Sequence, residues 1–210
     1  DMRELGQNPE AGNAALPQAE LDEDWLNVFE RYAEDASSER LQGLWGRVLA
    51  GEIRRPGRFS SRTLRFLSEF SQADALTFET FAKSAFGDAA PKSLVVPHER
   101  KDIRDLIYLE ANGLIQGVSG NGLERTLTLD ANGFGILAEG DLRIVLKGEP
   151  NFRIVRDVIV LTPLGQELLG LVTSRNQRES ARAVAMAFRG PDIHEASLAV
   201  RDKVGGKLLK

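Results

Sequence analysis

Arg54, Arg55, Arg58, Arg62 and Arg65 place five guanidinium groups within twelve residues. Arg62 and Arg65 lie three apart and so share a helical face, while Arg58 falls in the turn before them. Ser60 and Ser61, at the start of that helix, would present backbone N–H groups beside the guanidinium forks. Planar forks next to a helix N-terminus suit phosphate or carboxylate, which makes this corner a candidate anion or partner site. A structural reading competes with it. Glu20, Asp22, Glu23, Asp24, Glu30, Glu34, Asp35 and Glu39 stand between residues 20 and 39 against one base, Arg31, and would neutralise the arginines. Residue types and spacing leave both readings open.

The remaining side chains point away from most catalytic chemistries. Cysteine is absent, which excludes disulfides, thiolate nucleophiles, cysteine-ligated zinc and iron–sulfur clusters within this chain. The two histidines, His98 and His194, sit outside any triad-like or metal-ligand spacing. Glu52 adjoins Arg54 and Arg55 and reads as a salt-bridge partner rather than a general acid. Trp25 and Trp45 fall at apolar helical positions and read as core. The segment Ser119-Gly120-Asn121-Gly122 lacks the P-loop lysine and the dinucleotide fingerprint, and reads as a turn. No catalytic residue, metal site or cofactor is expected, so an enzyme ranks last among the function classes.

Composition sets the frame for these residues. A chain of 210 residues with 42% hydrophobic and 28% charged side chains reads as a soluble globular protein of one or two domains. No apolar run approaches the roughly 20 residues that span a bilayer, so no membrane partner is expected. The start is polar and lacks a signal-peptide pattern, and freedom from cysteine fits a cytoplasmic location. The chain opens on Asp1 rather than Met, as a fragment or processed form would. A net charge of −4 opposes generic polyanion binding, which draws its affinity from phosphate neutralisation by Lys and Arg.

The elements that must position the arginines are mostly helical. Residues 1–20 carry no period and read as a flexible leader. Asp22-Glu23-Asp24 begins a helix with Trp25, Leu26, Phe29, Tyr32, Ala33 and Ala36 at helical spacing. Ser37 or Ser38 caps a second, with Leu41, Leu44, Trp45, Val48 and Leu49 on one face. Pro56-Gly57 ends it. Ser60 or Ser61 caps a third with Leu64, Leu67 and Phe70 inward, and Ser71 with Asp74 forms a capping box for a fourth. In that helix Phe78, Phe81, Ala82, Ala85 and Phe86 line one face. Residues 87–97, with two prolines, read as an inter-domain linker. Beyond it come a helix over 99–112 with Ile103, Leu106, Ile107 and Tyr108 inward, and strands near 125–129, 134–137, 142–147 and 153–161. Thr162-Pro163-Leu164 opens a short helix, followed by a helix over 179–188 and a last strand over 196–200.

Two resemblances follow from particular residues. Leu44, Trp45, Leu49, Ala50, Gly51 and Glu52, then Ser60, Arg62, Thr63 and Leu64, resemble an uncharacterised bacterial domain family with an LW-x-x-x-LAGE helix followed by an S-x-RTL helix. Over those two helices the chain is also similar to the abortive-infection alpha proteins of phage defence. The stretch Leu106–Ile115, ending in Gly113-Leu114-Ile115, and the stretch Val160–Leu169, with Leu161-Thr162-Pro163-Leu164-Gly165, resemble winged-helix domains. Residues 116–159 exceed a two-stranded wing, which implies an enlarged sheet. Such a domain's groove-reading helix would be basic, yet 99–113 carries three bases against four acids.

The resulting expectation is an α+β fold, with a helical domain over 21–86 and a winged-helix-like domain with an enlarged antiparallel sheet over 98–175. A C-terminal helix and tail complete it over 176–210. The leading functional reading is a cytoplasmic interaction or regulatory protein with a protein partner, linked to phage defence by resemblance. The alternative is a nucleic-acid-binding regulator using the arginine corner together with the basic tail of Arg175, Arg178, Arg182 and Arg189.

Overall fold

A computed structural model of the chain describes residues 21–96, 103–201 and 208–209. It divides into two compact units, the chain passing from one to the other between Ser60 and Ser61. In the first unit, Asp22 accepts the Trp25 N–H at 2.8 Å and so caps α1 (Glu23–Glu34). Ser38 accepts the Leu41 N–H at 3.3 Å and caps α2 (Glu39–Arg54). Each cap satisfies a backbone donor that the helix itself cannot pair. The apolar stripes then meet. Trp25 stacks on Phe29 with centroids 5.3 Å apart, and Phe29 meets Trp45 edge-on at 5.6 Å. The indole N–H of Trp25, buried with them, donates to the Phe59 carbonyl at 2.6 Å. Both tryptophans are core, as their spacing predicts.

The second unit begins with α3 (Ser61–Glu69) and α4 (Gln72–Ala82). The Ser71 hydroxyl accepts the Asp74 N–H while the Asp74 carboxylate accepts the Ser71 N–H, the reciprocal box expected from sequence. There follow β1 (Ala89–Pro91), α5 (Lys92–Val95), α6 (Ile103–Ala111), β2 (Ile115–Gln116), β3 (Leu123–Thr128), β4 (Phe134–Glu139), β5 (Leu142–Gly148) and β6 (Arg153–Leu161). Then come α7 (Pro163–Leu169), α8 (Gln177–Phe188), β7 (Ile193–Arg201) and β8 (Leu208–Leu209). All strand pairs are antiparallel. One sheet centres on β6, with β1 along one edge and β2 and β3 along the other. The second runs β4-β5-β7-β8. Ile144, Leu146 and Ile154 from the two sheets form a core with Ala181, Val184, Ala185 and Phe188 of α8. The fold is α+β, as expected.

Three expectations need correction. The segment 87–97 is not a free linker through its described part. Ala89, Ala90 and Pro91 are buried and pair with Val160, Ile159 and Val158 of β6. Two alanines and a proline read as a loop, but small side chains suit a strand packed closely at an edge, where a proline's missing donor is harmless. The boundary between units accordingly falls at Ser60/Ser61, which places α3 and α4 with the sheets rather than with α1 and α2. On α6, Leu106 and Leu109 face inward while Ile107 and Tyr108 are exposed. The leader, His98 and residues 99–102 lie outside the described residues.

Candidate functional site

Glu52 sits near the C-terminal end of α2 and is 3% exposed. Its carboxylate accepts the Gly57 N–H at 2.5 Å and the Phe59 N–H at 2.9 Å. A buried carboxylate taking backbone donors stabilises the turn that contains them, because charge-assisted hydrogen bonds gain strength out of water. Gly57 permits that turn through its φ of +76°. One residue before Glu52, a Cβ on Gly51 would lie 2.7 Å from the Phe59 ring, so only glycine lets α2 approach it. The Gly51-Glu52 pair therefore builds a corner. The expected salt bridge of Glu52 with Arg54 and Arg55 gives way to backbone hydrogen bonding, which a linear charge count does not reveal.

The five arginines divide between the units. Arg54 closes α2, Arg55 is its C-cap, and Arg58 lies over the Phe59 ring at 5.1 Å. Among the described residues Arg54 and Arg55 are exposed and make no ion pair. In the second unit Arg62 and Arg65 are exposed on α3, and Arg65 pairs loosely with Glu69 at 3.9 Å.

Several polar groups that sequence reading passed over are the best organised in the second unit. Arg175, counted there as part of a basic tail, has a side chain only 8% exposed. It donates to both carboxylate oxygens of Glu139 at 2.5 and 2.7 Å and to the carbonyls of Ala82 and Ala85 at 2.9 and 2.6 Å. Arg125 forks onto Asp88 at 2.6 and 2.8 Å and holds that carboxyl below its usual range. Glu110 accepts the N–H groups of Gly117, Val118 and Ser119 at 2.8, 2.9 and 2.9 Å. Burial pushes the Glu110 carboxyl up, but the hydrogen bonds outweigh it and leave the group below its ordinary value. Each of these clusters fastens one stretch of chain to another.

The stretches Leu106–Ile115 and Val160–Leu169 meet. Ile115 pairs with Leu161, and the Thr162 hydroxyl donates to the Gly113 carbonyl at 2.6 Å while accepting the Gly165 N–H at 3.1 Å. A Cβ on Gly165 would collide with the Leu114 carbonyl. Next to them, α6 shows solvent Ile107, 46% exposed, and Tyr108, 44% exposed, whose hydroxyl donates to Asp74 at 2.5 Å.

The surface also carries clefts. One of about 360 Å³ lies among α4, α5 and α6, with the hydroxyls of Thr77, Thr80 and Ser84, the carboxylate of Asp105 and apolar Leu106. In another, Glu124 and Asp157 face each other across β3 and β6 beside Lys92 and Arg156. Two acids and two bases on an open surface form a solvated, balanced cluster rather than an enclosed catalytic pair. Among the described residues no group of three or more His, Asp or Glu could hold a metal ion, and no helix is long and apolar enough to cross a membrane.

A family model described as a protein of unknown function, DUF2806, matches residues 9–155. This chain belongs to the DUF2806 family. Comparison with curated proteins and with solved structures returned no match. The DUF2806 match takes in the Glu52 corner, the arginines and most of the β6-centred sheet, and ends inside β6. Its description names no function.

Proposed function

We propose that this DUF2806 protein is a cytoplasmic interaction or regulatory protein, whose second unit is a winged-helix-like module turned toward a protein partner. The order helix, strand, helix, helix, strand, strand within the β6-centred sheet, formed by α4, β1, α5, α6, β2 with β3, and β6 once the inserted β4 and β5 of the second sheet are set aside, supports the winged-helix reading. The observation that carries the partner class is the outer face of α6. It presents Ile107 and Tyr108, and its described residues include one base, Arg104, against Asp105 and Glu110. A helix that reads a DNA groove meets phosphates and needs the opposite balance. Apolar and aromatic side chains on an exposed helix suit a protein surface. Arg54, Arg55 and Arg58 in the first unit, and Arg62 and Arg65 in the second, are proposed contacts for acidic partner groups. The likeness of α2 and α3 to abortive-infection alpha proteins supports a phage-defence setting.

A second reading, a nucleic-acid-binding regulator using the Arg54 to Arg65 corner, draws also on Arg178 and Arg182. They lie one turn apart on α8, exposed, beside a cleft of about 420 Å³, with no ion pair among the described residues. Titration against labelled duplex and single-stranded DNA and RNA at low and moderate salt separates the two. The protein-partner reading expects no binding even at low salt, and an Ile107 photo-crosslinker that captures protein. Binding that weakens steeply with salt and disappears in Arg58→Glu with Arg62→Glu would replace it with the nucleic-acid reading.

A further inference from the structure

Three Asn-Gly steps occur in the described residues: Asn112-Gly113, Asn121-Gly122 and Asn132-Gly133. Asparagine before glycine is chemically labile, because the following amide nitrogen, unhindered by a Cβ, can attack the side-chain carbonyl carbon. The sequence presents the three as equals. Their surroundings make them unequal.

Asn132-Gly133 is locked. The Gly133 N–H donates to the Asp130 carbonyl at 2.9 Å, and the Asp130 carboxylate accepts the Asn132 and Phe134 N–H groups at 2.8 Å. Gly133 is buried, with its α-carbon packed toward the Gly148 carbonyl. Asn112-Gly113 is held as well. The Gly113 N–H donates to the Glu110 carbonyl at 2.9 Å, and the Asn112 side-chain amide donates to the Tyr108 carbonyl at 2.8 Å. The loop between β2 and β3 is different. Glu110 anchors it through Gly117, Val118 and Ser119, and the anchoring stops there. Gly120 and Gly122 flank Asn121, both at positive φ (+69° and +76°), and a Cβ on Gly120 would meet open space. Asn121 is exposed, and among the described residues the Gly122 N–H has no hydrogen-bond acceptor.

We infer that Asn121, alone among the three, is a site of spontaneous deamidation in the folded protein, with water as the co-reactant. The Gly122 nitrogen attacks the Asn121 Cγ, the new C–N bond closes a succinimide ring, and the Cγ–NH₂ bond breaks. Ammonia leaves with the proton lost by the Gly122 amide. Water then opens the ring at either carbonyl, giving aspartate or isoaspartate at position 121. The product adds one negative charge at the tip of the loop, and isoaspartate also adds one carbon to its main chain. The Lys92 ammonium lies 3.5 Å from where a Cβ on Gly122 would sit, and a positive charge at this residue favours loss of its amide proton.

The test is a time course of the full chain at mildly alkaline pH and body temperature, read by peptide mapping for a gain of one mass unit and by isoaspartate labelling. In native buffer Asn121 should convert on the order of tenfold faster than Asn112 or Asn132, because attack at those sites first requires local opening. In denaturant the three should converge, and Asn121→Gln should remove the native-state product. Equal rates in native buffer, or conversion led by Asn112 or Asn132, would overturn the assignment.

Discussion

Glu52 and Glu110 are carboxylates whose partners are backbone N–H groups, so their removal is felt as loss of a turn rather than of a charge. Glu52→Gln keeps the shape but replaces a charged acceptor, and should cost about 1.5–3 kcal/mol in a urea titration. Arg54→Glu, on an exposed arginine without an ion pair among the described residues, should stay within about 0.5 kcal/mol of the parent. For Glu110 the sign can be worked out. Its folded-state value lies below the ordinary 4.5. Its contribution is therefore fully present above that value and is lost as the pH falls through the lower folded one. Melting temperatures of wild type and Glu110→Gln should differ most at neutral pH and converge in acid. A gap that held constant with pH would contradict this role.

Within the elements, glycines discriminate between close packing and open surface. Gly165 lies in the first turn of α7, where a Cβ meets the Leu114 carbonyl, a backbone atom that cannot swing away. Gly165→Ala should cost about 3 kcal/mol or more through overpacking. Gly46 on α2 has nothing near its absent Cβ, and Gly46→Ala should stabilise by about 0.5–1 kcal/mol through a stiffer unfolded chain and better helix propensity. Chemical denaturation of both variants checks the pair. The helix starts and the period-2 strands were legible because caps and periodicity act over a few neighbouring residues, as at Ser38, Ser71 and Thr162. The strand Ala89–Pro91 was not, since its partner β6 lies far along the chain and nothing local marks the pairing.

At the scale of the molecule, Arg175 ties the carbonyls at the end of α4 to Glu139 of β4. Arg175→Ala leaves the largely buried Glu139 carboxylate without its cation, with, among the described residues, only the Gly87 N–H still donating to it, and should cost about 3 kcal/mol, whereas Arg175→Met with Glu139→Leu should recover most of that loss. A double-mutant cycle by thermal unfolding measures it, and additive losses would mean the two groups do not act as a pair. The α+β class, the short-range helices and strands, the two aromatic helices and the absence of cysteine chemistry were already readable along the chain, because periodicity, caps and composition are local properties. Folding in three dimensions was needed to show that Glu52 holds a turn, that Arg175 is a buried clamp, that Ile107 and Tyr108 face water, and that the three Asn-Gly steps differ in their surroundings. Each of those depends on burial and on hydrogen-bond partners brought together by the fold, and neither is written in the order of neighbouring residues.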